Sequence, residues 1–180
     1  NIVEDMYANA VWQIHFDSFF GKSFRFSGNY LFDEFVLDPD IELGKEHGKA
    51  FSSRLAFTRN LASNQFLTAY SSFVCVGTPT FRHGLGSNNF IQNNKPLGWY
   101  KGSDGSELVF GINYSNQNEL ILKFRYGFSK NGEENILFRS YEKYTDYLAE
   151  KFPSGKTYDT VYLNFISEYL LKDDILFSIK

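Results

Sequence analysis

Residues 107–129 read ELVFGINYSNQNELILKFRYGFS, and this stretch decides the fold. Large apolar residues take every second position in both halves: Leu108, Phe110, Ile112, Tyr114, Leu120, Leu122, Phe124, Tyr126 and Phe128. Most residues between them are polar or glycine. Because successive side chains of a β-strand point to opposite faces, the alternation predicts two antiparallel strands with one apolar face and one polar face. The Asn-rich segment 115–118 supplies a short turn between them.

The same alternation recurs along the chain and predicts further strands with the same two faces. The clear ones are 10–16, 24–32, 161–169 and 175–179. Weaker patterns at 51–60 and 65–76 predict two more strands, whose register the sequence leaves open. Together these eight strands favour an all-β, antiparallel, up-and-down fold.

The connections between the predicted strands alternate in length. Short turns lie near 20–22, 61–64, 115–118 and 171–174, and long loops lie near 34–50, 77–106 and 130–156. A transmembrane β-barrel has short turns on its periplasmic side and long loops outside. Several strands also match the roughly 9–11 residues of a tilted membrane strand. We therefore predict a transmembrane β-barrel, with a soluble lipocalin-like barrel as the alternative.

The direction of these strands bears on the size of the barrel. If the short turns are periplasmic, the first strand begins outside the cell and the last one ends there. Outer-membrane barrels of one chain ordinarily begin and end in the periplasm. We therefore expect residues 1–180 to be one β-barrel domain that is a segment of a larger barrel, so that the eight strands need not close on themselves.

Composition and charge exclude several classes of protein. Aromatic residues make up 19% of the 180 residues, which is too much apolar surface for a disordered chain. No run approaches the roughly 18 apolar residues of a membrane-spanning helix. The net charge of -3 gives no basic surface for nucleic acid. Cys75 is the single cysteine, which excludes an internal disulfide.

Five short segments resemble the capsule-assembly Wzi family, in an order and spacing that cover about residues 5–130. They are Tyr30–Phe35, Thr80–Gly84, Pro96–Trp99, Gly102–Leu108 and Phe124–Gly127. The resemblance implies a β-barrel in the outer membrane of a Gram-negative bacterium. It also implies a lectin-like role, in which the protein binds or anchors capsular or other surface polysaccharide. Polysaccharide and outer-membrane lipid, including lipopolysaccharide, are then the expected partners, without nucleic acid or a cofactor.

The longest loop combines aromatic rings with amide, carboxylate and cationic groups, which suit the apolar faces and hydroxyls of sugars. The predicted ligand residues are Arg82, His83, Asn88, Asn89, Trp99, Tyr100 and Asp104. An ordinary polar loop folded into the barrel explains the same residues, because Asn and Gly favour turns. The cations predicted to line the lumen are Arg25, Arg54, Lys123 and Arg125. They form either a hydrogen-bonded network or, as a set, a path for an anionic polymer.

Other patterns carry weaker signals. The acidic residues of 33–46 have the oxygen ligands that Ca²⁺ prefers, but they lack the spacing of an EF-hand loop. Contact with lipopolysaccharide or with water explains these residues equally well. We therefore predict no metal site. Residues 140–151 have the spacing of a short helix. His83 with Ser87 is too weak a pair to indicate an enzyme, and we expect none. A porin for small solutes and a soluble binder of an apolar ligand remain alternative functions.

Overall fold

The computed structural model of the protein describes residues 11–33, 48–82, 89–116, 119–138, 151–172 and 175–179. It is built from ten β-strands in these residues. They are β1 (Trp12–Phe20), β2 (Phe24–Phe32), β3 (Lys49–Ala62), β4 (Gln65–Val76), β5 (Ile91–Gln92), β6 (Lys95–Pro96), β7 (Gly105–Asn116), β8 (Leu120–Asn131), β9 (Tyr158–Lys172) and β10 (Ile175–Ile179). Eight of them form one sheet, which confirms the prediction of an all-β fold with about eight strands.

The strands lie across the sheet in the same order as along the chain, β1-β2-β3-β4-β7-β8-β9-β10. Every neighbouring pair is antiparallel, so the up-and-down arrangement is also confirmed. Within the residues that the structure describes, β1 and β10 are the two edges and do not pair with each other. The sheet is therefore open there, and closure into a barrel is not observed.

The connections alternate in length as the sequence predicts. Short ones lie at 21–23, 63–64, 117–119 and 173–174, and long ones at 33–48, 77–104 and 132–157. Because neighbouring strands are antiparallel, all short connections meet at one end of the sheet, the turn end, and all long ones at the other, the loop end. Gly21 and Asn64 have φ angles of 62° and 70° in two of the tight turns, a conformation that Gly and Asn adopt most readily.

The longest loop contains a small hairpin of β5 and β6 that the sequence does not predict. Its strands pair through Ile91 with Pro96 and Gln92 with Lys95. Two residues are too few to show a period of two. Asn93 and Asn94, with φ angles of 51° and 58°, form the two-residue turn that hairpins of this kind favour.

The register divides the eight long strands into two faces. Directly paired residues of antiparallel strands point to the same side, so Ile112, Phe124 and Phe165 share one face, while Gly111, Arg125 and Asn164 share the other. We call these the apolar face and the polar face. The alternation predicted for the clear strands is confirmed. For β3 and β4 the structure settles the open register, placing Leu55 and Phe73 on the apolar face and Arg54 and Tyr70 on the polar face.

Most large side chains of the apolar face are exposed, up to 67% for Trp12. Those with at least a third of their surface exposed are Trp12, Ile14, Phe16, Phe20, Phe24, Phe51, Leu55, Phe57, Phe73, Leu108, Phe110, Ile112, Phe124, Phe128, Val161, Leu163, Phe165, Tyr169, Phe177 and Ile179. Isolated exposed apolar residues are normal on proteins, but a continuous apolar face across eight strands is not. This face therefore needs an apolar partner outside the described chain.

Two glycines on the polar face lie beneath tyrosine rings of neighbouring strands. A Cβ added at Gly111 would lie 2.2 Å from Cζ of Tyr70, and one added at Gly127 would lie 2.3 Å from Cζ of Tyr162. Only a residue without a side chain lets the rings approach this closely. The glycines thus fix Tyr70 and Tyr162 flat against the centre of the polar face.

Candidate ligand-binding site at the loop end

Described segments of two long loops, 77–82, 89–104 and 132–138, pack onto the sheet at the loop end and form the buried core there. Val76, Phe81 and Ile136, from β4 and two different loops, are at most 5% exposed. Residues packed around them are Leu31, Ala50, Val74, Phe90, Ile91 and Trp99. A Cβ at Gly98 would lie 2.4 Å from Cζ of Phe81, so the loop approaches this ring at a glycine. The core therefore joins the loops to the polar side of β2, β3 and β4.

The carboxylate of Asp104 joins three loop segments. Its Oδ1 accepts hydrogen bonds from Oγ1 of Thr78 at 2.8 Å and from the backbone N–H of Ser154 at 3.0 Å. Its Oδ2 accepts from Oγ of Ser154 at 2.5 Å and from the backbone N–H of Glu134 at 3.2 Å. Bonds to an ionised acceptor are stronger than neutral ones. Asp104 is 0% exposed, so its observed role is to hold the loops together.

Asn135 adds a second link between the same loops. Its side-chain amide donates to the backbone carbonyls of Lys101 and Ser103, both at 2.7 Å. The Ser103 hydroxyl in turn accepts from the backbone N–H of Ile136 at 3.1 Å. These bonds satisfy buried backbone groups that irregular loops otherwise leave unpaired.

The structure separates the predicted ligand residues into buried and accessible ones. Arg82 is 3% exposed and forms an ion pair with Glu134 at 3.1 Å, and Asn89 is 6% exposed. Together with Asp104 they belong to the interior of the loops. Trp99 is half-buried and Tyr100 is exposed, and their rings contact edge to face. The other two predicted ligand residues, His83 and Asn88, lie outside the described residues.

Trp99 borders a recess of about 270 Å³ between the loop and the polar face. Its apolar wall includes Leu31, Val74 and Phe81 as well as the indole. The indole Nε1 is buried and has no hydrogen-bond partner within the described part of the chain. The recess thus offers an aromatic surface, while the indole N–H lies buried beside it.

Amide groups from β1 and β2 also line this recess. Oδ1 of Asn29 accepts from Nε2 of Gln13 at 2.9 Å and lies 2.8 Å from Nδ1 of His15. The Asn29 amide donates to Oγ of Ser52 at 3.0 Å. Gln13, Asn29 and Ser52 all line the recess. Planar amides and hydroxyls together with an aromatic ring are the groups that sugars engage through their hydroxyls and C–H surfaces.

A second polar cluster surrounds the buried carboxylate of Glu107 at the start of β7. Its Oε1 accepts from the Tyr100 hydroxyl at 2.5 Å and the Tyr162 hydroxyl at 3.2 Å, and lies 3.0 Å from Nζ of Lys101. Lys101 also donates to Oγ of Ser129 at 2.5 Å. Burial, and then the hydrogen bond to and negative charge of Glu107, raise the pKa of the Tyr100 hydroxyl above its ordinary value. Tyr100 therefore acts here as a neutral donor.

The four cations predicted for the lumen all lie on the polar face, but they fall into two classes. Arg25 binds Asp17 through two bonds of 2.6 and 3.0 Å, and Lys123 lies 3.2 Å from Glu168. Arg54 and Arg125 are exposed and form no ion pair within the described residues. The Arg54 guanidinium instead lies 3.9 Å from the centre of the Tyr70 ring.

Sequence reasoning missed Gln13, Asn29, Ser52, Glu107 and Tyr162 as parts of these clusters. Four of them alternate onto the polar face, so the sequence predicts solvation for them and nothing more specific, and Ser52 lies in a strand whose register the sequence leaves open. A usable signal was their position, because most lie within a few residues of a strand end that enters a long loop. Loops that fold inward contact such positions first.

The remaining sequence predictions concern metal binding, membrane-spanning helices and two segments of the long loops. The part of the chain that the structure describes contains no cluster of three His, Cys, Asp or Glu side chains placed to hold a metal ion. None of its segments forms a helix of the length and hydropathy that crossing a membrane requires. The acidic segment after Asp33, at 34–46, and the predicted helix at 140–150 lie outside the described residues.

Neither a protein-family model, nor a curated protein, nor a solved structure matches the chain. The resemblance to the Wzi family therefore stays a prediction. The features of the molecule that bear on function are the two faces of the sheet and the clusters at the loop end. Their chemistry is that of noncovalent binding: aromatic surfaces, amides, hydroxyls and fixed charges.

Proposed function

We propose that the chain crosses a bacterial outer membrane with the strands of a β-barrel and binds or anchors surface polysaccharide at its loop end, without catalysis. The main support for this proposal is that, in the part of the chain that the structure describes, the apolar face of the sheet is exposed while the loop segments fold onto the polar face. A soluble barrel has the reverse need, because its apolar face forms the interior. In a membrane, lipid covers the apolar face and the polar face lines the lumen.

The strand lengths support membrane insertion. β4, β7 and β8 have 12 residues each, which correspond to about 40 Å at roughly 3.4 Å per residue. A tilt of about 40° leaves about 30 Å along the membrane normal, which equals the usual hydrocarbon thickness. The sheet is thus tall enough to cross a bilayer once.

The distribution of charge on the apolar face gives independent support. Among described residues, the charged ones on this face are Lys49, Arg59, Lys130 and Asp159, and all lie close to a strand end. The band between them is uncharged, as a hydrocarbon layer requires, because charge at the bilayer centre is costly.

Amphipathic aromatic residues on the apolar face lie near its two ends. Trp12 and Tyr30 lie towards the loop end, whereas Tyr114 and Tyr169 lie towards the turn end. Such rings favour the level of the lipid headgroups, where the ring and its polar group meet different environments. Tyr126 belongs elsewhere, because it pairs with Phe110 and Leu163 in the middle of the sheet.

The recess at Trp99 is the part of the protein that best suits a polysaccharide. It combines the indole of Trp99 with the amides of Gln13 and Asn29 and the hydroxyl of Ser52. With the short turns in the periplasm, this end of the sheet faces the cell exterior, where capsular and other surface polysaccharides occur. A sugar ring stacked on the indole would present its hydroxyls to the amides.

The proposal is tested by glycan binding of the full chain in detergent. Trp99→Ala and Asn29→Ala should each weaken binding about tenfold, because one removes the stacking surface and the other the central amide. Leu97→Ala is the matched control, since Leu97 is exposed in the same loop but does not line the recess. Circular dichroism shows whether each variant keeps its sheet.

Two outcomes would contradict the proposal. Unchanged glycan binding in both variants would remove the recess from the site. A chain that stays folded and monomeric in buffer without lipid or detergent would remove the membrane assignment, because the apolar face would then have no partner.

A channel for small solutes is the second candidate, favoured by the exposed Arg54 and Arg125 on the polar face. The two functions differ in planar bilayers. A channel gives stable conductance that changes in selectivity when these arginines are replaced, whereas loops packed across the lumen keep the protein closed.

A further inference from the structure

A second recess, of about 540 Å³, lies on the polar face towards the turn end. Its wall carries three cations, Lys22, Arg25 and Arg54, and no acidic residue. Asp17 neutralises Arg25 from outside this wall, through the two bonds described above. Lys22 and Arg54 have no acidic partner among the described residues. The recess therefore has a net positive charge in a chain whose overall charge is -3.

The Arg54 guanidinium is held in place before any ligand arrives. It lies 3.9 Å from the centre of the Tyr70 ring, and that ring is fixed by its contact with Gly111. A guanidinium stacked on an aromatic ring keeps its N–H groups free at the edge of the plane. Those groups match the two oxygens of a carboxylate. Hydroxyls of Thr58 and Thr68, 2.9 Å apart, complete a polar wall that suits a hydroxylated ligand.

The cationic recess continues directly from the recess at Trp99. Asn29 and Ser52 line the recess at Trp99, and Ser27 and Arg54, two residues further along the same strands, line the cationic one. Residues two apart on a strand lie about 7 Å from each other on the same face. An extended polymer that enters at Trp99 therefore reaches Arg54 within a short distance along the polar face.

From the adjacency of the two recesses we infer that the polysaccharide is an acidic one, in which the carboxylate of one sugar unit binds Arg54 while a neighbouring unit occupies the recess at Trp99. This inference rests on the proposed function, and it adds the class of polymer and the residues that select it. Neutral polymers would find the aromatic and amide walls but leave the cations without a partner.

The test compares two oligosaccharides of equal length with the full chain in detergent: an oligogalacturonate, which carries carboxylates, and a neutral maltooligosaccharide. Wild-type protein should prefer the acidic one, and higher salt should reduce that preference. Arg54→Gln should weaken binding of the acidic oligosaccharide about tenfold or more, and the neutral one little. Arg59→Gln is the matched control, because Arg59 is an equally exposed cation of β3 on the opposite face.

Different outcomes overturn different claims. Equal binding of both oligosaccharides, or unchanged binding of the acidic one by Arg54→Gln, overturns the acidic assignment while the proposed function stands. Binding of neither oligosaccharide overturns both. If Trp99→Ala loses binding of both oligosaccharides and Arg54→Gln loses binding of the acidic one alone, the proposed function and the acidic assignment are both supported. If inorganic phosphate at the concentration of the sugar units displaces the oligogalacturonate fully, the recess binds small anions and the polymer assignment fails.

Discussion

The two faces of the sheet are built from alternate residues of the same strands, yet the residues that the structure describes supply packing partners for one face only. On the polar face, the loops bring Phe81 and Ile136 onto Val76 and form a buried core. On the apolar face, Ile112 and Leu163 are 50% and 64% exposed at the centre of the sheet. Burying such a side chain contributes about 1.5–3 kcal/mol. Within the described residues, the sheet therefore leaves on its apolar face a large amount of hydrophobic stabilisation that an apolar partner could supply.

The largest expected effect is a difference in stability between two arginine substitutions at neighbouring residues, one on each face of the sheet. Ile112→Arg places a charge at the centre of the apolar face and should destabilise the protein in lipid by about 2–4 kcal/mol. Asn113→Arg adds the same side chain on the polar face, directly opposite Lys123, whose charge Glu168 partly neutralises, and should cost less than about 1 kcal/mol. Urea unfolding in lipid vesicles measures both. Equal losses for the two variants would mean that lipid does not cover the apolar face.

A second comparison uses glycines on opposite faces. A Cβ at Gly111 would lie 2.2 Å from the Tyr70 ring, whereas one at Gly28 on the apolar face would meet its nearest atom, the Ser52 carbonyl oxygen, at 3.6 Å. Gly111→Ala should therefore destabilise the protein by about 1–3 kcal/mol through overpacking. Gly28→Ala should change stability by less than about 0.5 kcal/mol. If Gly111→Ala is equally harmless, Tyr70 is not held against the sheet and Arg54 loses its support.

Period-two patterns predict the strands well because they depend on neighbours in sequence. The alternation at 107–129 already separates Ile112 from Asn113, and the structure keeps that separation through every pair of β7 and β8. The register of β3 was not predictable, because Ser53 lies on its apolar face and Ala56 on its polar face, which weakens the contrast. Pairing with β2 and β4, where the contrast is stronger, decides it.

The candidate site was harder to predict, because its chemistry depends on distant partners. Asp104 has the composition of a ligand residue in a Gly-rich loop, but Thr78 and Ser154, 26 and 50 residues away, surround its carboxylate. Trp99 was predicted from its residue type alone. The amides that line the same recess come from β1 and β2, so no local pattern links them to the loop. Sequence identifies such groups, and the fold decides which remain accessible.

The smallest expected effect concerns Tyr100, whose hydroxyl joins the loop to Glu107 on the polar face. Tyr100→Phe removes a 2.5 Å hydrogen bond at an exposed ring and should cost about 1 kcal/mol at neutral pH. Folding raises the pKa of this hydroxyl. The contribution of the hydroxyl to the free energy of unfolding is therefore complete below the pKa of tyrosine in the unfolded chain, about 10, and is lost as the pH rises above that value. The stability difference between wild type and Tyr100→Phe should therefore shrink in alkali. The ionisation of the other tyrosines affects both proteins equally and does not change this difference. Urea unfolding at several alkaline pH values measures this difference, and a constant or growing one would show that Glu107 does not hold the Tyr100 proton.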